Sequence, residues 1–251
     1  MIKAITFDLW DTVFIDDSDE PKRKAAGRLS KKEERRALVL QYASKHKNVT
    51  KELVESIYNT VDAAFKKVWH SQFVTWTVAE RMELIFKGLN IDLSTNEMNE
   101  IVKLHEEMEL EFRPDFIEGV GEAIAELHKT YKLGVISDAI FSPGRVLREL
   151  LKGENLLQYF DFFVFSDEIG NSKPQPIVFE SAYKNLKVQP HEMVHIGDRE
   201  HNDIIGPKNV GVGALLCLAS LNRGSENTKA DAIFSNYKEL PSIVNSLNHS
   251  S

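Results

Sequence analysis

Residues 2–12, IKAITFDLWDT, pass from an apolar run directly into an acidic segment. Residues 2–7 are mostly apolar and predict a strand that is buried on both faces. Asp8 and Asp11 follow at once, where the chain leaves the strand. In sheets of parallel strands, ligands bind at these carboxyl ends. The segment therefore predicts one strand of a parallel sheet and part of a binding site.

Four further apolar runs have the same character, and they alternate with helical patterns. They lie at residues 133–136, 162–165, 193–196 and 213–218. Alternating strands and helices are typical of βαβ units. We therefore expect an α/β fold whose core is a three-layer, Rossmann-like parallel sheet.

The stretch between the first two strands predicts consecutive helices. Three capping boxes mark helix starts, each with Ser or Thr three residues before Glu: Ser30 with Glu33, Thr77 with Glu80, and Ser94 with Glu97. Another helix carries apolar residues at every fourth position, which predicts one stripe facing a neighbouring helix: Leu53, Ile57, Val61, Phe65 and Trp69. We expect a helical-bundle cap at residues 16–113, with loop-like joints at 16–24 and 113–115, inserted into a core of residues 1–15 and 114–251.

Composition excludes several classes of protein. The chain is 42% hydrophobic and has a net charge of −7, which argues against nucleic-acid binding. A small phosphorylated substrate remains compatible, because one local cation can dominate a site. The lone Cys217 excludes an intrachain disulfide and a thiolate zinc cluster. With neither a signal-peptide pattern nor a membrane-length apolar run, a cytoplasmic protein is expected.

Polar residues after the predicted strands form one set. These are Asp8, Trp10 and Asp11; Ser137 and Asp138; Lys173; and Asp198 and Asp203. Neighbouring carboxylates repel each other, so a hard divalent cation is their natural partner. With a lysine and a hydroxyl nearby, such a cation suits a phosphoryl group. An aspartate whose charge is screened in this way can attack phosphorus.

These segments, in this order, resemble the haloacid dehalogenase superfamily, and the insertion resembles its helical, C1-type cap. The resemblance implies that Asp8 is both the nucleophile and a metal ligand. It implies that Ser137 binds the transferring phosphoryl group and that Lys173 holds phosphate and Asp8 in register. Asp198 would bind Mg²⁺, and Asp203 would support the ion directly or through water. The resemblance thus predicts a magnesium-dependent hydrolase of a small phosphorylated metabolite, acting through an aspartyl phosphate.

Residue 10 departs from the family pattern. Family phosphatases carry D-x-D-x-T here, and the second Asp acts as acid and base, whereas this chain has Trp10. Its backbone carbonyl would still bind metal and its side chain would lie at the substrate, but an indole exchanges no proton near neutral pH. Loss of an acid–base group typically slows turnover about 10²–10⁴-fold. Slow or specialised turnover is therefore expected, with a preference for leaving groups of low pKa.

Several alternatives stay open. Asp11 either stabilises the turn after the strand or reaches the leaving group, and Asp138 either contacts substrate or organises its loop. A 2-haloacid dehalogenase also lacks the second Asp but needs no metal. A phosphate- or metal-binding regulatory protein with weak catalysis is the third possibility.

Three further features have simple structural interpretations. His195 predicts a buried core histidine, and the charged run 31–36 predicts a solvated helix face. Trp69 and Trp76 either pack inside the helical bundle or line its substrate face.

Overall fold

The computed structural model describes residues 1–248, so residues 249–251, the end of the predicted core segment, lie outside the described chain. Across the described residues six parallel strands form one sheet, in the order β3-β2-β1-β4-β5-β6. The strands are β1 (Ala4–Phe7), β2 (Lys132–Ser137), β3 (Phe162–Phe165), β4 (Met193–Gly197), β5 (Gly213–Cys217) and β6 (Ala232–Phe234). The expected parallel α/β fold is confirmed.

β1 lies in the middle of the sheet, and its position determines which loops meet. Phe7 pairs with Val135 of β2 on one side and with Ile196 of β4 on the other. Because the strands are parallel and in register, the residues that follow them emerge side by side. Asp8 therefore lies next to the ends of β2 and β4.

Helices cover both faces of the sheet, which gives three layers. The flanking helices are α7 (Val120–His128), α8 (Gly144–Gly153), α9 (Ser166–Ile169), α10 (Pro176–Leu186), α11 (Gly206–Lys208) and α12 (Leu240–Leu247). Ile5 and Phe7 of β1 belong to an apolar cluster with side chains from α7, α8 and α12, and Ala4 belongs to a second cluster with α10. Alternate residues of a strand point to opposite faces, so one short strand supplies both cores.

The inserted segment is helical, as expected. Its helices are α1 (Glu20–Ala25), α2 (Lys31–Ala43), α3 (Lys51–Gln72), α4 (Val78–Gly88), α5 (Thr95–Glu106) and α6 (Met108–Glu111). All three predicted capping boxes are present, at the starts of α2, α4 and α5. The predicted loop at 16–24 is wrong in its second half, where α1 begins at Glu20 with proline in its first turn, a position that proline favours. Helices α2–α5 share an apolar cluster of their own; the domain boundaries stay a prediction.

The predicted stripe on α3 is wrong at its N-terminal end. Leu53 is exposed, while the neighbouring Val54 and Tyr58 are buried. At 3.6 residues per turn, positions four apart drift by about 40° at each step, so the five apolar residues wind around the helix. Leu53 at one end therefore lies on a different side of α3 from Trp69 at the other.

No helix within residues 1–248 is both long enough and apolar enough to cross a membrane.

Candidate active site

Asp8 and Lys173 form a buried ion pair at the end of β1. The Asp8 amide donates to the Ile196 carbonyl at 2.8 Å, which extends the strand pairing by one residue. Lys173 Nζ lies 2.8 Å from Asp8 Oδ1 and 2.6 Å from Asp203 Oδ1. Asp8 is 6% exposed and Lys173 is 3% exposed. One ammonium group therefore joins two of the carboxylates predicted from the sequence.

The positive charge of Lys173 and the negative charges of the neighbouring carboxylates stabilise each other. Burial opposes the charged form of Lys173, but the carboxylates of Asp203, Asp8 and Asp138 outweigh burial and raise the pKa of the lysine. Burial likewise opposes the charged form of Asp203, but Lys173 and a hydrogen bond from His195 lower the pKa of Asp203 below its ordinary value. The lysine is thus a permanent cation at this site.

Three carboxylates form a candidate metal centre. Asp8, Asp198 and Asp203 each offer an oxygen, and these atoms lie within 4.8 Å of one another. Asp198 Oδ1 is buried and has no hydrogen-bond partner among the described residues. Burial and the charges of Asp8 and Asp203 raise the pKa of Asp198. A buried oxygen without a partner, in an all-oxygen set, fits a hard cation such as Mg²⁺.

Asp203 is placed by its own loop. It lies in a π-helical segment, Glu200–Ile205, directly after β4. The Arg199 amide donates to Asp203 Oδ2 at 2.9 Å, and His195 Nε2 lies 3.2 Å from Oδ1. Gly197 is required here because a Cβ atom would collide with the Asp203 carboxylate. His195 also bonds Thr6 Oγ1 at 2.9 Å and is fully buried, which confirms the predicted core histidine.

Arg223 is a cation of the site that the sequence pattern did not indicate. Its guanidinium binds Asp198 and lies 2.6 Å from Asp11 Oδ2. Ser220 Oγ donates to Asp11 Oδ1 at 2.8 Å. Asp11 itself has φ 54°, a left-handed conformation that aspartate tolerates in tight turns. Both carboxylate oxygens of Asp11 are thus occupied, which favours its role in the turn.

Ser137 is the last residue of β2, and Asp138 follows it beside the ion pair. Ser137 is buried, and its Oγ has no hydrogen-bond partner in the described part of the chain. Asp138 Oδ1 accepts from the Lys173 amide at 3.0 Å, and Oδ2 lies 3.4 Å from Asn202 Nδ2. Burial raises the pKa of Asp138 to about 7. Asp138 therefore holds the lysine loop, and the Ser137 hydroxyl remains available for a ligand.

A cavity of about 290 Å³ lies over these residues. The core contributes Asp8, Trp10, Asp138, Lys173 and Asp203 to its walls, and the insertion contributes Lys31, Arg35, Trp69 and Glu109. Trp69 therefore lines the cavity, and its Nε1 donates to Ser172 Oγ at 2.8 Å, next to Lys173. Trp76 packs near Phe65, with ring centroids 6.1 Å apart.

The prediction of a solvated face for residues 31–36 is wrong for two residues. Lys31 and Arg35 are 5% and 6% exposed. Lys31 Nζ pairs with Asp19 at 2.7 Å and with Glu109 at 3.2 Å. Lys31 and Arg35 are four residues apart and therefore share one face of the helix. This spacing was the available sign that they are buried together, but it was not decisive, because a run of charged residues is usually exposed.

The fold and the site together define a class: a parallel α/β protein in which a buried aspartate–lysine pair adjoins a carboxylate cluster beneath inserted helices. The chain belongs to the haloacid dehalogenase-like hydrolases, since the sequence model of that family matches residues 47–217. The resemblance noted from the motifs is thereby confirmed.

Individual relatives agree with this assignment. The chain is 28% identical to a glyceraldehyde 3-phosphate phosphatase of Pyrococcus furiosus in an alignment 162 positions long, which covers 51% of this chain and 66% of that protein. The alignments of this chain with the first three curated relatives cover between 33% and 66% of the length of those relatives.

Solved structures share the fold. A 2-haloacid dehalogenase from Pseudomonas syringae pv. Tomato DC3000 has a TM-score of 0.71 at 24% identity, covering 98% of this chain and 100% of that one. A HAD phosphatase from Thermococcus onnurineus has a TM-score of 0.64 at 22% identity, covering 97% and 98%.

Proposed function

We propose that this protein is a magnesium-dependent hydrolase of small phosphate esters, with Asp8 as the nucleophile. The observation that carries the proposal is the Lys173 ammonium between Asp8 and Asp203, with Asp198 in the same carboxylate cluster. An anion can approach the Asp8 carboxylate only where the local negative charge is compensated. The similarity to the Pyrococcus furiosus phosphatase supports phosphate as the group attacked.

Each residue has a defined part in this reaction. An Asp8 oxygen forms a bond to phosphorus while the bond from phosphorus to the leaving oxygen breaks, so that an aspartyl phosphate forms and the leaving group departs and takes a proton from water. A water molecule then attacks the phosphorus of that intermediate, the bond to the Asp8 oxygen breaks, and inorganic phosphate and the free carboxylate are released. Lys173 holds Asp8 in position through its 2.8 Å contact and balances charge on the phosphoryl oxygens. The unpartnered Ser137 hydroxyl is a donor for one of those oxygens.

Asp8 and Asp198, with the Trp10 backbone carbonyl, would hold Mg²⁺. Asp203 already accepts hydrogen bonds from Lys173, His195 and the Arg199 amide. It would therefore contact the ion through a water molecule and not directly. A bound Mg²⁺ would neutralise charge that the attacking carboxylate and the phosphoryl oxygens share.

Trp10 determines which esters are turned over well. Its side chain lines the cavity with Asp8, at the position where the family's acid–base carboxylate belongs. Asp11 does not supply a substitute, because Arg223 and Ser220 occupy its oxygens. Aryl phosphate esters, and the mixed anhydrides called acyl phosphates, have leaving groups that need little protonation, and both are therefore proposed as better substrates than sugar phosphates.

A phosphatase panel with and without Mg²⁺ tests the proposal, with Asp8→Asn as the inactive variant. Asp115→Asn is a matched control, since Asp115 is exposed and pairs with Lys22. We expect phosphate release that requires Mg²⁺, disappears in Asp8→Asn and persists in Asp115→Asn.

Two other outcomes would contradict the proposal and identify an alternative. Halide release from 2-haloacids in the presence of a chelator would indicate a dehalogenase, the alternative that Trp10 favours. Binding of inorganic phosphate without any turnover, in both the parent and Asp8→Asn, would indicate a regulatory binding protein.

A further inference from the structure

A second cavity, of about 420 Å³, lies among the inserted helices beside the active-site cavity. The two cavities share the wall residues Arg35, Trp69, Ile140 and Phe141. A ligand held at Asp8 therefore has this second space as its neighbour. Nothing in the phosphoryl chemistry described above uses it.

The walls of the second cavity are strongly basic. Among the described residues they carry five cations and one carboxylate: Lys32, Arg35, Arg36, Lys66 and Arg81 against Asp62. Asp62 is engaged by Arg36, whose Nη2 lies 3.6 Å away. The active-site cavity has the opposite balance, with Asp8, Asp138, Asp203 and further carboxylates in its wall. Once Arg36 is paired with Asp62, the other four cations give the second cavity a net positive charge.

Arg35 and Arg81 are the buried cations of this wall that have unpartnered hydrogen-bond donors. They are 6% and 2% exposed. Within residues 1–248, Arg35 Nε and Nη2 and Arg81 Nε have no hydrogen-bond partner, and neither has the buried Tyr58 hydroxyl in the same wall. Glu109 lies 3.8 Å from Arg35 Nη2, beyond hydrogen-bond reach, and it already binds Lys31 and Ser142.

The two guanidinium groups also share one aromatic neighbour, Phe141. Arg35 stacks on the Phe141 ring at 3.6 Å from its centroid, and Arg81 lies over the same ring at 4.1 Å. Burial lowers the pKa of Arg81 to about 10, and Arg35 opposes its charge further. Buried donors without a hydrogen-bond partner are costly, and the oxygens of an anion can accept hydrogen bonds from them.

We propose that Arg35, Arg81 and Tyr58 bind a second anionic group of the substrate, a carboxylate or a phosphate, while its phosphoryl group lies at Asp8. This inference rests on the proposed phosphatase function and names its substrate class: small phosphate esters that carry a second anion. Trp69 and Phe141, which line both cavities, bound the passage that the linking carbons occupy.

Matched substrates of increasing chain length test the proposal: ω-carboxyalkyl phosphates, alkane bisphosphates and uncharged ω-hydroxyalkyl phosphates. The quantity measured is the ratio of kcat/KM for each charged ester to that for the hydroxyl ester of equal length. A hydrogen-bonded charge pair is worth about tenfold to hundredfold in such a ratio. We expect a ratio of this size at one chain length, and the better of the two charged series identifies the anion.

Arg35→Gln should reduce that ratio towards one, mainly through KM. Arg35→Lys keeps the charge but loses the planar donor pair, and should retain part of the preference. Arg145→Gln is the matched control, because Arg145 is exposed and paired with Glu106 and Glu107, and the ratio should not change. A parent ratio of one at every length, or an unchanged ratio in Arg35→Gln, would overturn the inference.

Binding separates this inference from the proposed function. Titration calorimetry with ω-carboxyalkyl phosphonates, which cannot be hydrolysed at their carbon–phosphorus bond, needs no turnover. Tighter binding than ω-hydroxyalkyl phosphonates, lost in Arg35→Gln, would support the anion site even if no ester were hydrolysed. Turnover without any charge preference would leave the phosphatase standing and refute the anion site.

Discussion

Replacing Lys173 by methionine keeps the length of the side chain and removes the charge that joins Asp8 to Asp203. The ammonium is 3% exposed and contacts the two carboxylates at 2.8 and 2.6 Å. Breaking one partner of a buried ion pair costs about 3–5 kcal/mol, because the remaining charge is left buried. In a chain of this size each kcal/mol lowers Tm by roughly 2–4 °C. We therefore expect Tm to fall by about 6–20 °C.

Lys208→Met is the matched control. Lys208 pairs with Asp231 at 2.5 Å, but both side chains are about one third exposed. An exposed pair contributes about 0–1 kcal/mol, so Tm should change by no more than about 4 °C. Thermal unfolding followed by circular dichroism, without added metal, measures both variants. Similar shifts for Lys173→Met and Lys208→Met would refute the buried-pair reasoning.

The difference between parent and Lys173→Met should depend on pH and on Mg²⁺. In the parent, Lys173 lowers the pKa of Asp203. The stabilisation that comes from this lowered pKa is complete above about pH 4, which is the pKa of aspartate in the unfolded chain. It is lost as the pH falls through the lower pKa that Asp203 has in the folded protein. The gap in Tm should accordingly narrow below about pH 4. Mg²⁺ should restore part of the loss, since a ligand of the native state stabilises it.

Two further changes test other parts of the structure. Trp10→Asp should raise kcat for sugar phosphates relative to aryl phosphates, by up to about 10²-fold if proton transfer limits turnover; an unchanged ratio would show that it does not. Burial lowers the pKa of His105 to about 3. As the pH drops from about 6.5 towards 3, this histidine is therefore protonated in the unfolded chain but not in the folded protein, and the free energy of unfolding falls. His105→Gln should remove a slope of about 1.4 kcal/mol per pH unit over this range in urea titrations, and a parallel curve for the variant would contradict this.

The sheet and the polar residues at its carboxyl edge were predictable because their signals are local. Each strand is a short apolar run, and each candidate side chain follows its run within a few residues, as Asp8 and Ser137 do. Parallel strands in register then bring those ends together without further information. The capping boxes at Ser30, Thr77 and Ser94 are equally local, since each involves residues three apart.

The tertiary structure alone decided which charges are buried. Arg223 reaches Asp11 and Asp198 from a loop far along the chain, and no spacing predicts that contact. Arg35 belongs to a charged run that resembles a solvated face, yet α2 turns it towards Phe141, which Arg81 also contacts. Local sequence specifies periodicity and caps, whereas the burial of a charge depends on what packs against it from distant segments. For that reason the edge of the sheet that carries Asp8 could be inferred from the sequence, and the basic cavity among the inserted helices could not.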